Sequence, residues 1–231
     1  MTRSKIATFQ EAMGVQFKTI SLLEQALTHR SYLNENPDTK RGHNERLEFL
    51  GDAVLELSVT DYLFKKYPGK PEGELTNYRA ALVNSDMLAR VAFELGVGEH
   101  VLLSKGEAKD KGRARGYILA NAFEAIIGAL YEDQGYGAAN TFIEKFLLPR
   151  MKEVIDRKLW KDPKSAFQEA AQDKAGVTPT YKVVEETGPD HDKRFVVGVF
   201  LDKEMVTSGQ GASKQEAEIA AARAALEMKK W

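Results

Sequence analysis

Over the first two-thirds of the chain, apolar positions return every three or four residues or run unbroken. This holds in FKTISLLEQALTHRSYL (17–33) and over 47–64, 78–95 and 118–130, and it predicts amphipathic or wholly buried helices. The stretches NENPDTKRG, YPGKPEG and KGEAKDKGRARG, rich in glycine, proline and charge, separate these runs and read as turns. Past RKLWKDPK the pattern changes to a helix over 163–174, strands over 180–186, 194–201 and 204–209, and a helix over 213–229. The loop GPDHDK joins the first two strands, and the dipeptide DK turns between the next two. The last helix opens with SKQE, a capping box in which Ser213 and Glu216 can satisfy each other's backbone amides. Two domains follow from this: an all-α domain over 1–158 and a small α+β domain, αβββα, over 159–231.

Within ILANAFEAIIGAL (118–130), every position is apolar or glycine except Asn121 and Glu124. Three residues apart, their side chains share one helical face. A carboxylate in apolar surroundings costs several kcal/mol, or takes up a proton, unless a partner replaces the lost water. Something must face Glu124. In HNERLEFLGDAVLEL, the acids Glu45, Glu48, Asp52 and Glu56 follow at spacings of three and four and line one stripe. A solvated surface is the plain reading of such a stripe, but it predicts interspersed bases, and none occurs between Leu47 and Phe64. If the two helices pack face to face, Glu48, Asp52, Asn121 and Glu124 converge as four oxygen-bearing groups. Without His or Cys among them, such a set suits Mg²⁺ or Mn²⁺ rather than zinc. A hard cation so held ionises water and neutralises charge on a phosphate, which points to phosphodiester hydrolysis.

Composition narrows the context. At 231 residues with 43% hydrophobic content, the chain can bury real cores. It has no cysteine, which excludes disulfides and thiolate zinc sites and suits a reducing cytoplasm. The first twenty residues carry no signal-peptide core, and no run approaches the ~18 apolar residues of a membrane span. A soluble, cytoplasmic protein without a membrane partner is expected. Net charge is −1, with 11 basic and 12 acidic residues from Lys161 onward, so a nucleic-acid partner is not announced by bulk charge.

The segment NERLEFLGDAVLE resembles the signature of bacterial ribonuclease III, the double-stranded-RNA endonuclease. GELTNYRAALVN, LLSKGEAKDKGR and ILANAFEAIIGALYEDQGY match its later blocks in order, and the carboxy-terminal part resembles the double-stranded-RNA-binding domain of that family. The resemblance implies an endoribonuclease that uses Mg²⁺, with Mn²⁺ able to substitute. It implies a homodimer built on the signature helix, with Phe49 and Leu50 as candidate interface residues, or else ordinary core. Each subunit cuts one strand, leaving 5′-phosphate and 3′-hydroxyl ends with short 3′ overhangs. Ribosomal precursors and structured messages are the implied substrates.

By the same resemblance Asp52 and Glu124 are catalytic, and Glu48, Asp52, Asn121 and Glu124 hold metal. Glu45 and Glu72 match further acids near the cleavage site, with a capping or solvent-facing role as the alternative. Gln168, Glu169 and His191 match minor-groove contacts, the mode by which A-form RNA is recognised through shape. Lys214 matches a phosphate contact, which would reconcile a cation at a helix N-terminus with the opposing helix dipole. Lys109, Lys111, Arg113 and Arg115 in the basic loop are candidate phosphate contacts beside the metal site; a charged solvent loop is the alternative. Two departures matter. Asn121 stands where aspartate is usual, so metal should be held more weakly, and Gln215 stands where a second lysine is common, so RNA binding should be less salt-sensitive. A non-cleaving double-stranded-RNA-binding protein and a helical scaffold with merely surface acids are the rival classes.

Overall fold

The computed structural model describes residues 3–109, 112–189 and 193–231. They divide into two units, 1–160 and 161–231. The first is all-α: α1 (Arg3–Met13), α2 (Ile20–Ala26), α3 (Arg30–Glu35), α4 (Glu45–Lys66), α5 (Glu72–Val83), α6 (Ser85–Glu94), α7 (Arg113–Gln134), α8 (Tyr136–Phe146) and α9 (Met151–Asp156). Helix α7 runs through the middle. From Ile118 to Leu130 every residue is buried except Asn121 and Glu124, which are half-buried. A helix apolar on all sides must be surrounded, and α7 is packed by α2, α4, α6 and α8. Phe123 meets Phe142 of α8 at 5.5 Å between ring centres, and Leu55, Val59 and Leu63 of α4 and Leu88 of α6 join the same core.

Two expected helices are each broken in two. The run over 17–33 is interrupted because the chain at Leu27–His29 turns aside to pair with a distant segment. There the Leu102 N–H donates to the Leu27 carbonyl at 2.8 Å, and the His29 N–H donates to the Leu102 carbonyl at 3.1 Å. The run over 78–95 is interrupted at Asn84, whose backbone is extended. Its side chain accepts from the Met87 N–H at 2.9 Å to cap α6 and donates to the Ala81 carbonyl at 2.9 Å to close α5. Apolar periodicity survives both breaks, so the pattern alone does not show them.

The second unit is α10 (Pro163–Ala175), β1 (Thr180–Thr187), β2 (Arg194–Leu201), β3 (Glu204–Gly211) and α11 (Lys214–Lys229). The three strands form an antiparallel sheet in sequence order. Phe167 and Val199 pack against Ala221, Ala222 and Ala225 of α11, and Trp231 stacks on Phe167 at 5.5 Å. Helix and sheet approach so closely that a Cβ on Gly209 would lie 2.1 Å from the Ala221 nitrogen, which accounts for glycine in the strand and alanine along the helix. The capping box is half as expected. Ser213 Oγ accepts from the Glu216 N–H at 3.2 Å, but the Glu216 carboxylate reaches the Ala212 N–H, one residue beyond the anticipated Ser213. Among the described residues no helix is long and apolar enough to cross a membrane.

Candidate metal centre

The contact between α4 and α7 is made by two glycines. A Cβ on Gly51 would sit 1.8 Å from the Glu124 carbonyl oxygen, and one on Gly128 would sit 2.0 Å from the Leu47 carbonyl oxygen. Only backbones without side chains can cross at this separation. The crossing seats Glu48 and Asp52, on either side of Gly51, next to the face of α7 that carries Asn121 and Glu124. Sequence reasoning overlooked both glycines, although a glycine within each of two strong helical runs was a visible signal.

The electrostatics follow from this placement. Burial first, and then the Asp52 and Glu48 carboxylates beside it, push Glu124 up to about 7 from the ordinary 4.5. Burial likewise raises Glu48, helped by the Glu45 and Asp52 charges; a hydrogen bond with the Asn121 side chain pulls the other way. An amide at 121 therefore relieves charge crowding that an aspartate would add. Among the described residues, no three His, Asp or Glu side chains stand as a preformed metal cage. The donor chemistry nevertheless fits a hard cation: carboxylates and an amide held together, one of them so short of compensating charge that it keeps a proton near neutrality.

The two other candidate acids sit differently: the Glu45 charge reaches Glu48, whereas Glu72 lies on another helix. Glu45, at the first residue of α4, is exposed and pairs with Arg30 at 3.4 Å and His43 at 3.7 Å. Glu72 opens α5, where its carboxylate accepts from Thr76 Oγ1 at 2.9 Å. It lines a hollow of about 660 Å³ with Leu63, Phe64, Tyr67 and Leu75, beside the far half of α4. From Asp52 to Thr60, the nearest point of α4 on that hollow, the helix rises roughly 12 Å. Glu72 is not among the charges that raise Glu124, which are those of Asp52 and Glu48.

Along α4, Phe49 (81% exposed), Leu57 (58%) and Phe64 (72%) form an apolar row open to solvent, whereas Leu50 is half-buried. Among the candidate RNA contacts, Gln168 and Glu169 are exposed on α10 and flank a shallow hollow with Ser165, Gln172 and Asp173. Lys214 is exposed at the start of α11, its Nζ 5.7 Å from the Phe195 ring centre. Lys109 is exposed at the end of a short 3-10 turn. Arg115 instead donates from Nη2 to the Gly98 carbonyl at 2.7 Å with Nη1 buried, a role within the fold. Lys111 and His191 lie outside the described residues, as does the side chain of Arg113.

Residues 19–151 match the family model described as Ribonuclease-III-like, and residues 163–229 match the double-stranded RNA binding motif. The chain belongs to the ribonuclease III family. It is 47% identical to Ribonuclease 3 of Geobacillus kaustophilus over 225 residues, covering 97% of this chain and 91% of that protein. To Ribonuclease 3 of Enterococcus faecalis it is 46% identical, covering 94% of each. Among solved structures, the nuclease domain of ribonuclease III from Campylobacter jejuni is similar to the first unit, with 40% identity and a TM-score of 0.57. That match covers 62% of this chain and 99% of the other. This family member is thus an endoribonuclease of double-stranded RNA, with a helical nuclease domain followed by a double-stranded-RNA-binding domain.

Proposed function

We propose that Glu48, Asp52, Asn121 and Glu124 hold Mg²⁺, with Mn²⁺ able to replace it, and that this group hydrolyses phosphodiester bonds of duplex RNA. The products are 5′-phosphate and 3′-hydroxyl ends with short 3′ overhangs. The observation that carries the reading is Glu124, kept in an otherwise apolar helix against Asp52 and Glu48 at the cost of an ionisation pushed up to about 7. A glutamate serving only the fold would gain by replacement with an apolar residue. When bound, the metal supplies positive charge for a departing 3′-oxygen and for an attacking water. The exposure of Asp52 supports its role as the acceptor of that water's proton, while Glu48 and Asn121 orient each other through their hydrogen bond.

We assign residues 1–158 to catalysis and 159–231 to duplex binding through Gln168, Glu169, His191 and Lys214, with Lys109, Lys111 and Arg113 as phosphate contacts of the first domain. The apolar row of α4 supports a homodimer. In an antiparallel two-fold pairing, the Phe49 end of one α4 lies against the other copy's Phe64 end and the hollow beside it, so both rows leave water together. Ribosomal RNA precursors and structured messages in the cytoplasm are the proposed substrates. The second reading, a duplex binder with weakened cutting, is favoured by one residue: Asn121 gives the site one negative charge fewer than an aspartate would.

Labelled duplex RNA incubated with the protein in Mg²⁺, Mn²⁺ or Ca²⁺ separates the readings. Cutting in Mg²⁺ and Mn²⁺ supports the nuclease. Binding in all three ions without cutting supports the second reading, and absence of both rejects the RNA assignment.

A further inference from the structure

The basic loop and the start of the acidic helix are fastened to one short segment, 26–35. On one side, Asn44 donates from its side-chain amide to the Ala26 carbonyl at 3.3 Å and from its backbone to the Thr28 carbonyl at 2.9 Å, fixing where α4 begins. On the other side, the bonds of Leu102 with Leu27 and His29 lay down the strand-like entry to the loop. Two residues on, the Ser104 N–H donates to Ser31 Oγ at 3.1 Å, and the Lys105 N–H donates to the Glu35 carboxylate at 3.1 and 3.3 Å.

Ser31 is itself held. His29 Nδ1 lies 2.8 Å from Ser31 Oγ and accepts from the Ser31 N–H at 3.3 Å. A ring nitrogen that accepts a backbone N–H carries no proton, so the Ser31 hydroxyl donates to it and keeps its lone pairs for Ser104. Burial lowers the His29 pKa, against the pull of Glu107 and Glu45, and favours the neutral ring this chain of bonds requires. Beyond Ser104, its Oγ accepts from the Glu107 N–H at 3.2 Å and its carbonyl from the Ala108 N–H at 3.0 Å, closing the turn that carries Lys105 and Lys109.

We propose that Ser31, oriented by His29, is a positioning residue for RNA cleavage: it fixes Lys105 and Lys109 relative to the acids of α4, so that a phosphate engaged by the loop is in register with the bond to be cut. This rests on the reading of the basic loop as an RNA contact. A serine that merely stabilised the fold would change neither the affinity for duplex RNA nor the position of cutting.

The test uses the full chain and a labelled duplex of defined sequence, with KM, kcat and cut positions read at single-nucleotide resolution. Ser31→Ala and, independently of its folding, Glu35→Ala are expected to raise KM roughly two- to tenfold, the effect of one ordinary hydrogen bond lost. They are also expected to spread the cut over neighbouring positions, with kcat at saturating RNA little changed. His29→Asn keeps a capping acceptor at the same place and should restore parental cutting, whereas His29→Phe should behave as Ser31→Ala. The Lys105→Ala and Lys109→Ala double variant isolates the underlying reading. If it raises KM while folded Ser31→Ala and Glu35→Ala keep the parental KM and cut positions, the positioning role is overturned alone. If the lysine variant is also silent, the loop does not contact RNA and the proposal falls with that reading. A fall in kcat with KM and cut positions unchanged also overturns it.

Discussion

Glu124, the central residue of the proposed metal centre, has the clearest pH signature. Its folded value, about 7, lies above the ordinary 4.5, so the folded protein holds this proton more tightly than the unfolded chain. Stability contributed by that proton is fully present below 4.5 and is lost as pH rises through about 7. The loss is at most about 3 kcal/mol, less what residual solvent screens. Calorimetry of the metal-free protein should therefore show the melting temperature falling between pH 5 and 7.5 (roughly the window set by these two values), and Glu124→Gln should flatten that slope. Mg²⁺ should stabilise the parent more at the upper end of the window than at the lower, because a protonated carboxyl is a poor ligand. At Asn121 the opposite balance applies. Asn121→Asp replaces a hydrogen-bond donor to Glu48 with a third neighbouring charge, so the metal-free protein should lose stability while half-maximal cutting shifts to lower Mg²⁺. An unchanged Mg²⁺ requirement would contradict the assignment of this residue to the metal shell.

At the level of elements, the α4–α7 crossing decides whether the site exists. Alanine is the better helix former by about 1 kcal/mol, so Gly51→Ala would stabilise an isolated α4. A Cβ at 1.8 Å from the Glu124 carbonyl forces the helices apart, and overpacking of this kind costs roughly 1–3 kcal/mol or more. Packing should win, with a net loss of stability by denaturant titration and a larger loss of cutting, because the displaced carbonyl belongs to the backbone of Glu124, which the proposed metal centre requires. The sequence made both helices legible through periodicity, and the polar pair in α7 through its isolation among apolar residues. Of the glycine contact it showed only a glycine within each run, not that Gly51 and Gly128 meet, because closeness between helices leaves no periodic trace. Nor did it reveal the breaks at Leu27–His29 and Asn84, where a distant pairing and a side-chain cap override an uninterrupted apolar pattern.

For the whole molecule, the order of domains was legible because period changes near RKLWKDPK, and the three strands lie where alternation placed them, β2 within the expected bounds and β1 and β3 running one and two residues further. Association was less so: Phe49 read equally as core or interface, and its 81% exposure, in a row with Leu57 and Phe64, distinguishes the two. Sedimentation of Phe49→Asp should show a monomer where the parent is a dimer; a parental profile would remove α4 from the interface. In the second domain, Lys214→Ala should weaken duplex binding about equally across sequences and lower the salt dependence by about one phosphate contact.

The most direct measurement of the central claim is paired binding and cleavage of one labelled RNA duplex by the parent and Glu124→Gln in Mg²⁺. The metal-centre account predicts equal affinity, with cutting by the parent and none by the variant. Cutting at the parental rate by Glu124→Gln would contradict it, because the carboxylate held on α7 would then have no part in the chemistry.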